Sequence, residues 1–200
     1  MKALELVPRH AFISERYQPL AYANRPLGIG YGQTISQPYI VALMTELLEL
    51  KSCTNVLEVG TGCGYQTAVL AELVERVFTI EVVSDLATRA KKTLSELGYN
   101  TVDFRIGNGR DGWQEYAPFH AIIVTASSET IPLALINQFG NFTTLDIKHL
   151  NHNQRILCNI ILNPGNGVKG IGINLTDAKI FWQCKSNNIK TIIRTYFNTI

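Results

Sequence analysis

The chain has 200 residues, 46% of them hydrophobic and 17% charged, with a formal net charge of +2. That length suits one domain with a sizeable core, and so small a charge gives no strongly basic surface for nucleic acid or an anionic membrane. No apolar run approaches the roughly 18–20 residues of a membrane span, the charged start does not read as a secretory leader, and Cys53, Cys63, Cys158 and Cys184 form no C-x-x-C pair, so reduced thiols in a cytoplasm are expected rather than a zinc site or a disulfide framework.

In chain order, residues 1–37 read as an irregular lead-in, punctuated by Pro8, Pro19 and Pro26 and by Gly28, Gly30 and Gly32. A helix begins near Pro38, with a stripe of Ile40, Leu43, Met44, Leu47 and Leu48 at helical spacing. A first strand is predicted over 55–60, then a helix over 66–75 with Val69, Leu70 and Leu73 inward. A second strand is predicted over 77–82. The next helix, over 85–97, carries Leu86, Ala90, Leu94 and Leu97 on one face and closes at Gly98. Val102, Phe104 and Ile106 alternate as a third strand, residues 121–125 form a continuous apolar fourth, and 131–139 read as helical. Strands alternating with helices imply βαβ units and a doubly wound, mostly parallel sheet of the α/β class.

In such a sheet, ligands bind beyond the carboxyl ends of the strands. The first strand ends in Val56-Leu-Glu-Val-Gly-Thr-Gly-Cys-Gly-Tyr65. Gly60, Gly62 and Gly64 let the backbone approach a ligand, in a G-x-G-x-G spacing that departs from the dinucleotide fingerprint and leans toward S-adenosylmethionine. Glu58 stands just before this turn, where a carboxylate can face an ammonium or sulfonium charge. Glu81 follows 21 positions after Gly60, where an acid can accept both ribose hydroxyls. Gly107-Asn108-Gly109 follows the third strand, placing a side-chain amide where an adenine could lie.

The segments Val7-Pro-Arg-His-Ala-Phe12, Arg25-Pro-Leu-Gly-Ile-Gly30 and Gly32-Gln-Thr-Ile-Ser-Gln-Pro38 resemble the protein-L-isoaspartate O-methyltransferase family, as do 56–65, Asp111-Gly-Trp113 and Ile122-Ile-Val-Thr-Ala126. The resemblance covers about residues 7–139, and 33–38 is its most specific part. It implies a Rossmann-like methyltransferase fold and methyl transfer from S-adenosyl-L-methionine to the free carboxylate of L-isoaspartyl residues in damaged proteins, which are then repaired through a succinimide. It places the active-site serine at Ser36, with Thr34 and Ile35 in the cofactor-contacting motif. Gly60, Thr61, Gly62, Cys63 and Gly64 would line the methionine end, Glu81 with Val82 the ribose, and Asn108 with Gly109 the adenine. No metal, nucleic-acid or membrane partner is implied, and a cytoplasmic monomer acting on isoaspartyl proteins and peptides is expected. The chemistry agrees: a backbone-linked carboxylate has a reference pKa near 3.5, so the nucleophile is ionised without a general base.

The chain departs from the family pattern in three ways. Six residues precede Val7, where family members usually begin with further helices. Asn108 stands where the family usually has Asp, keeping an acceptor oxygen but losing the charge. After Phe139 the family's Gly-Gly and apolar strand give way to Gly140-Asn-Phe-Thr-Thr-Leu-Asp-Ile-Lys-His-Leu150. Composition shifts there too: residues 1–140 carry 11 Lys+Arg against 14 Asp+Glu, whereas 141–200 carry 7 against 2, ten of the fifteen Asn and a single Ala. The expected organisation is therefore a methyltransferase domain over 1–140 and a divergent segment over 141–200, from a frameshift or a fused end near 139–141. The alternative is a genuine tail whose strands, over 156–162 and 168–182, flank Asn163-Pro-Gly-Asn-Gly167. His149 and His152 lack a third ligand at metal-binding spacing. Two rival functions stand beside the main one: an inactive relative that at most binds the cofactor, and a methyltransferase with another acceptor.

Overall fold

The amino-terminal segment contains helix α1 (Lys2–Leu6), 3-10 turns over Arg9–Phe12 and Glu15–Leu20, and a two-stranded hairpin of β1 (Leu27–Gly30) and β2 (Gln33–Ile35). Helix α2 (Pro38–Leu47) follows, then β3 (Asn55–Val59), α3 (Tyr65–Ala71), β4 (Arg76–Glu81), α4 (Ser84–Glu96), β5 (Val102–Ile106), β6 (Ala121–Val124) and α5 (Leu133–Asn137). Strands β7 (Cys158–Asn163), β8 (Gly167–Asn174) and β9 (Lys179–Gln183) end the described chain. This computed structural model describes residues 2–48, 50–51, 55–126, 132–139, 158–163, 167–174 and 179–183. His149, His152 and the stretch 140–150 lie outside them. Among the described residues no helix is long and apolar enough to cross a membrane.

A seven-stranded sheet in the order β5-β4-β3-β6-β7-β8-β9 organises the fold. The β5, β4, β3 and β6 strands pair in parallel, as their βαβ connections require. Strand β7 then joins β6 antiparallel, and β8 and β9 continue as a meander. The edge of β6 is therefore covered, by antiparallel rather than parallel strands.

The central strands are apolar on both faces because helices cover both. Val56, Val77, Ala121 and Ile123 face Met44 and Leu48 of the α2 segment and Leu70 of α3. Leu57, Val59, Phe78, Ile80, Ile122 and Val124 face Leu135 of α5 with Phe119 and Phe139. Phe12, Ile35, Val41, Tyr65, Ala68, Val69 and Leu94 form a third cluster that ties the lead-in segment to α3 and α4. This makes the sheet doubly wound.

Three expectations change. Gly28 to Gly32 are not irregular: they form the hairpin, whose turn places Tyr31 and Gly32 at φ of 55° and 68°. Helix α3 stops at Ala71, leaving Leu73 partly exposed, and Leu97 falls just past α4 with similar exposure. Both lie where the helix no longer sets which face a residue takes. The side chain of Leu47 lies outside the described set.

One polar cluster is sealed inside. Glu58 is fully buried; its Oε2 accepts hydrogen bonds from Thr67 Oγ1 at 2.5 Å and Thr79 Oγ1 at 2.7 Å, while Oε1 has no partner among the described residues. Thr79 gives its hydroxyl proton to Glu58, so Thr61 must be the donor in its 2.6 Å contact with Thr79. Burial pushes the Glu58 carboxyl up to about 7, against the pull of the two threonines and with a small push from Glu81.

Two outcomes follow from this packing. Leu94→Ala, at a side chain with no exposure, lowers the unfolding free energy by about 2–5 kcal/mol in urea titrations, and a change below about 1 kcal/mol would contradict the packing described. Between the ordinary value of 4.5 and about 7, folded Glu58 holds a proton that the unfolded chain releases, so stability falls as pH rises through that window and levels off above it. Glu58→Gln removes this slope, which is at most about 1.4 kcal/mol per pH unit. Urea midpoints at several pH values report it; identical slopes in both proteins would refute the assignment.

Candidate cofactor-binding site

A cavity of about 540 Å³ opens beyond the carboxyl ends of the parallel strands, a volume within the usual range of small-molecule sites. It draws on the hairpin and the segment leading into α2, the β3–α3 turn, the residues following β4, those following β5, the end of β6 and the start of α5. The backbone at Gly60 is held at φ 102°, and a Cβ there would lie 2.7 Å from Thr125 Oγ1 and 3.0 Å from the Ala126 nitrogen. Glycine is needed both for the conformation and for the space. Thr125 Oγ1 in turn donates to the carbonyls of Val59 and Gly60, at 3.0 and 2.5 Å, tying the turn to the end of β6.

Glu81 ends β4 and is almost completely buried. Its Oε2 accepts the Gly62 N–H at 2.8 Å and its Oε1 the Val83 N–H at 3.0 Å. Each carboxylate oxygen is thereby oriented by one backbone donor and keeps further acceptor capacity for a ligand. Two vicinal hydroxyls fit such an acceptor pair.

Thr34, Ile35, Ser36, Gly60, Thr61, Gly62, Cys63, Glu81, Val82, Asn108 and Gly109 all line the cavity. Glu58 does not: Val59 faces the cavity, and the alternation of β3 turns Glu58 to the opposite face, beneath α3. Gly64 also lies outside the lining; it precedes α3 at φ 90°, packed against Ala90 and Leu94 of α4. Its place is helix packing.

Ser36 is not the helix cap. Gln37 occupies the cap position of α2, without a side-chain hydrogen bond, and Asn24 Oδ1 accepts the Tyr39 N–H at 3.0 Å. Asn108 Oδ1 accepts the Arg110 N–H at 3.1 Å, so its acceptor is already engaged locally. At Gly109 a Cβ would overlap the side chain of Val59, which lets the backbone lie close to the cavity wall. The Cys63 thiol is pushed up to about 11 by burial, partly offset by hydrogen bonding from the Tyr65 backbone and the charge of Arg9. It is therefore neutral at physiological pH.

Sequence reasoning missed Gln66 and Thr125. Gln66 lines the cavity, and its Nε2 donates to Thr45 Oγ1 at 2.9 Å, joining α3 to α2. Its signal was a polar residue on a helix whose neighbours are all buried. Thr125 stands at the carboxyl end of β6, where the strand-end rule already pointed.

Comparison with known proteins agrees with this arrangement. The family model described as protein-L-isoaspartate(D-aspartate) O-methyltransferase matches residues 1–170. A protein-L-isoaspartate O-methyltransferase of Picosynechococcus sp. is 54% identical over 140 residues, 70% of this chain and 63% of the relative. One from Dictyoglomus thermophilum is 54% identical over 138 residues, 69% of this chain and 63% of its own length, and one from Gloeobacter violaceus 54% identical over 70% and 68%. The chain thus spans about 63% of the length of the first of these relatives. A solved protein-L-isoaspartate O-methyltransferase superposes with a TM-score of 0.70 at 22% identity, covering 98% of this chain and 64% of that one. A second, from Plasmodium falciparum and described as a putative member in complex with S-adenosyl-L-homocysteine, gives 0.68 at 21% identity, covering 91% of this chain and 85% of that one. At those identities the superpositions speak to the fold, which is the Rossmann-like methyltransferase fold. The extent of the family match and the identity to its curated relatives establish that this chain belongs to the protein-L-isoaspartate O-methyltransferase family.

Proposed function

We propose that the protein transfers a methyl group from S-adenosyl-L-methionine to the free carboxylate of L-isoaspartyl residues in damaged proteins and peptides. One observation carries the reading: Ser36 shares a single cavity with the glycine turn, Glu81 and Asn108, although these residues come from four separate elements. The donor set suits the cofactor. Glu81 offers a preoriented acceptor pair for a ribose diol, and the glycine backbone at 60–62 and at 109 leaves room for close approach.

S-adenosylmethionine, when bound, supplies an electrophilic methyl group on a sulfonium centre. The chain's own work is to hold the acceptor and keep competing groups silent. An α-carboxylate is ionised at neutral pH, its reference pKa being near 3.5, so no residue need remove a proton. The hydroxyl of Ser36, which lines the cavity, would donate to that carboxylate and align it. Cys63 is the nucleophile that could intercept the methyl group, and burial keeps its thiol protonated and unreactive. Charge is annihilated as the methyl transfers, so an enclosed, partly dehydrated cavity favours the reaction.

The wider reading belongs to the same proposal. The protein acts in the cytoplasm as a monomer without a metal, nucleic-acid or membrane partner, and residues 141–200, although β7–β9 continue the central sheet, form a segment divergent in sequence after the methyltransferase domain of 1–140. The abrupt change in charge and Asn content near residue 140 supports that division.

Three measurements test the function. Labelled methyl transfer to an isoaspartyl peptide, with no transfer to its aspartyl twin, is the expected result; transfer to both or to neither would overturn it. Ser36→Ala should then lower kcat/KM on the order of 10- to 100-fold by loosening alignment. Asn108→Asp keeps the bond to Arg110 and adds a charged acceptor toward the adenine, so titration with S-adenosylhomocysteine should show binding tighter by about fivefold. Unchanged affinity would remove Asn108 from the adenine site.

A further inference from the structure

The β1–β2 hairpin is separate from the central sheet, and a two-stranded ribbon is marginal by itself. Its base is held by burial, through Leu27 and Ile35. Its tip is held differently. The Tyr31 hydroxyl donates to the Asp85 carboxylate, Arg89 Nη2 donates to the Ile29 carbonyl at 2.8 Å, and the Arg89 guanidinium lies 5.7 Å from the centre of the Tyr31 ring. Asp85 and Arg89 are one helical turn apart on α4, so one helix face receives the whole tip.

Three features make this more than a surface contact. Tyr31 sits at φ 55°, a left-handed conformation that is costly for a bulky side chain and persists where surrounding contacts enforce it. Beneath the tip, Ile29 lines the cavity, and its Cδ1 would lie 3.4 Å from a Cβ at Gly62. The hairpin therefore lies across the glycine turn itself. Finally, β2 runs without interruption into Ser36, while α4 starts immediately after Val83, whose N–H orients Glu81. Roof, serine and ribose acceptor are joined mechanically at one place.

The tip contacts are exposed, with Tyr31 itself 56% exposed. Exposed polar contacts are the kind that open locally while a buried core stays closed. We propose that Tyr31, Asp85 and Arg89 form a latch holding the β1–β2 hairpin as a roof over the cofactor cavity, so that they act as positioning residues controlling cofactor exchange and the seating of Ser36. The proposal rests on the reading of this cavity as a cofactor site.

Tyr31→Phe in the full chain removes the hydroxyl and keeps the ring. Two readouts decide the matter. Backbone amide exchange in residues 27–35 should quicken on the order of tenfold, with β3 and β4 amides and the Tm unchanged. Stopped-flow binding of S-adenosylhomocysteine should show association and dissociation both faster by a similar factor, since a roof that opens more often admits and releases alike. Asp85→Ala should reproduce both effects, and the double variant should add little to either, as expected of partners in one contact. Unchanged exchange in Tyr31→Phe overturns the latch, and faster exchange with unchanged binding rates overturns its role as a roof. If the unaltered protein binds no S-adenosylhomocysteine, the proposed function fails instead, and the exchange arm still judges the latch.

Discussion

The two-sided hold on Glu81 is the interaction on which the site depends. One oxygen takes the N–H of Gly62 in the β3–α3 turn and the other takes the N–H of Val83 at the start of α4. A single carboxylate thus fixes two βα turns against each other at the carboxyl edge of the sheet. Its charge helps in both places, because an anion near exposed backbone donors and the beginning of a helix is favourably placed. The glycine turn cannot drift away from β4 without losing a charge-assisted bond, and the cavity keeps its shape before any ligand arrives.

The contrast with Glu58 is instructive. The two acids lie near the carboxyl ends of neighbouring strands, yet they meet opposite surroundings. Glu81 reaches the cavity edge and backbone donors. Glu58 is enclosed under α3 with two threonine hydroxyls for company, and its second oxygen has no partner among the described residues. Burial raises its pKa to about 7, well above that of an exposed carboxylate. The hydroxyls of Thr79 and Thr61 then connect this buried acid to the cavity wall, since Thr61 belongs to both. Three side chains thus join the buried acid to the cavity wall.

Much of the fold was legible because its signals are local. Pro38 sets the start of α2, the apolar run 121–124 demands a strand covered on both faces, and the glycines at 60 and 64 take the positive φ that an L side chain resists. The hairpin was not legible in the same way. Gly28 and Gly30 carry no strand preference of their own, and what makes them a strand is pairing across a turn stabilised by α4, far along the sequence. The end of α3 falls four residues short of the expected 75, since fraying there depends on what packs beyond the helix, whereas α4 ends within one residue of the expected 97.

For the site, the sequence by itself determined which chemistry is present: a glycine turn, an acid about twenty residues on, a serine ahead of a helix and an amide after the third strand. Spacing along a βαβ chain suffices for that, because each group sits at a strand end and strand ends converge. Tertiary structure alone decided which of them face the cavity. Glu58 and Val59 are adjacent in sequence and point to opposite faces of one sheet, and which face holds the ligand depends on where helices α3 and α5 lie. The same holds for Gln66, Thr125 and the Tyr31 latch. Their roles arise from contacts between elements 21 to 65 residues apart, and no local pattern encodes a partner at that distance.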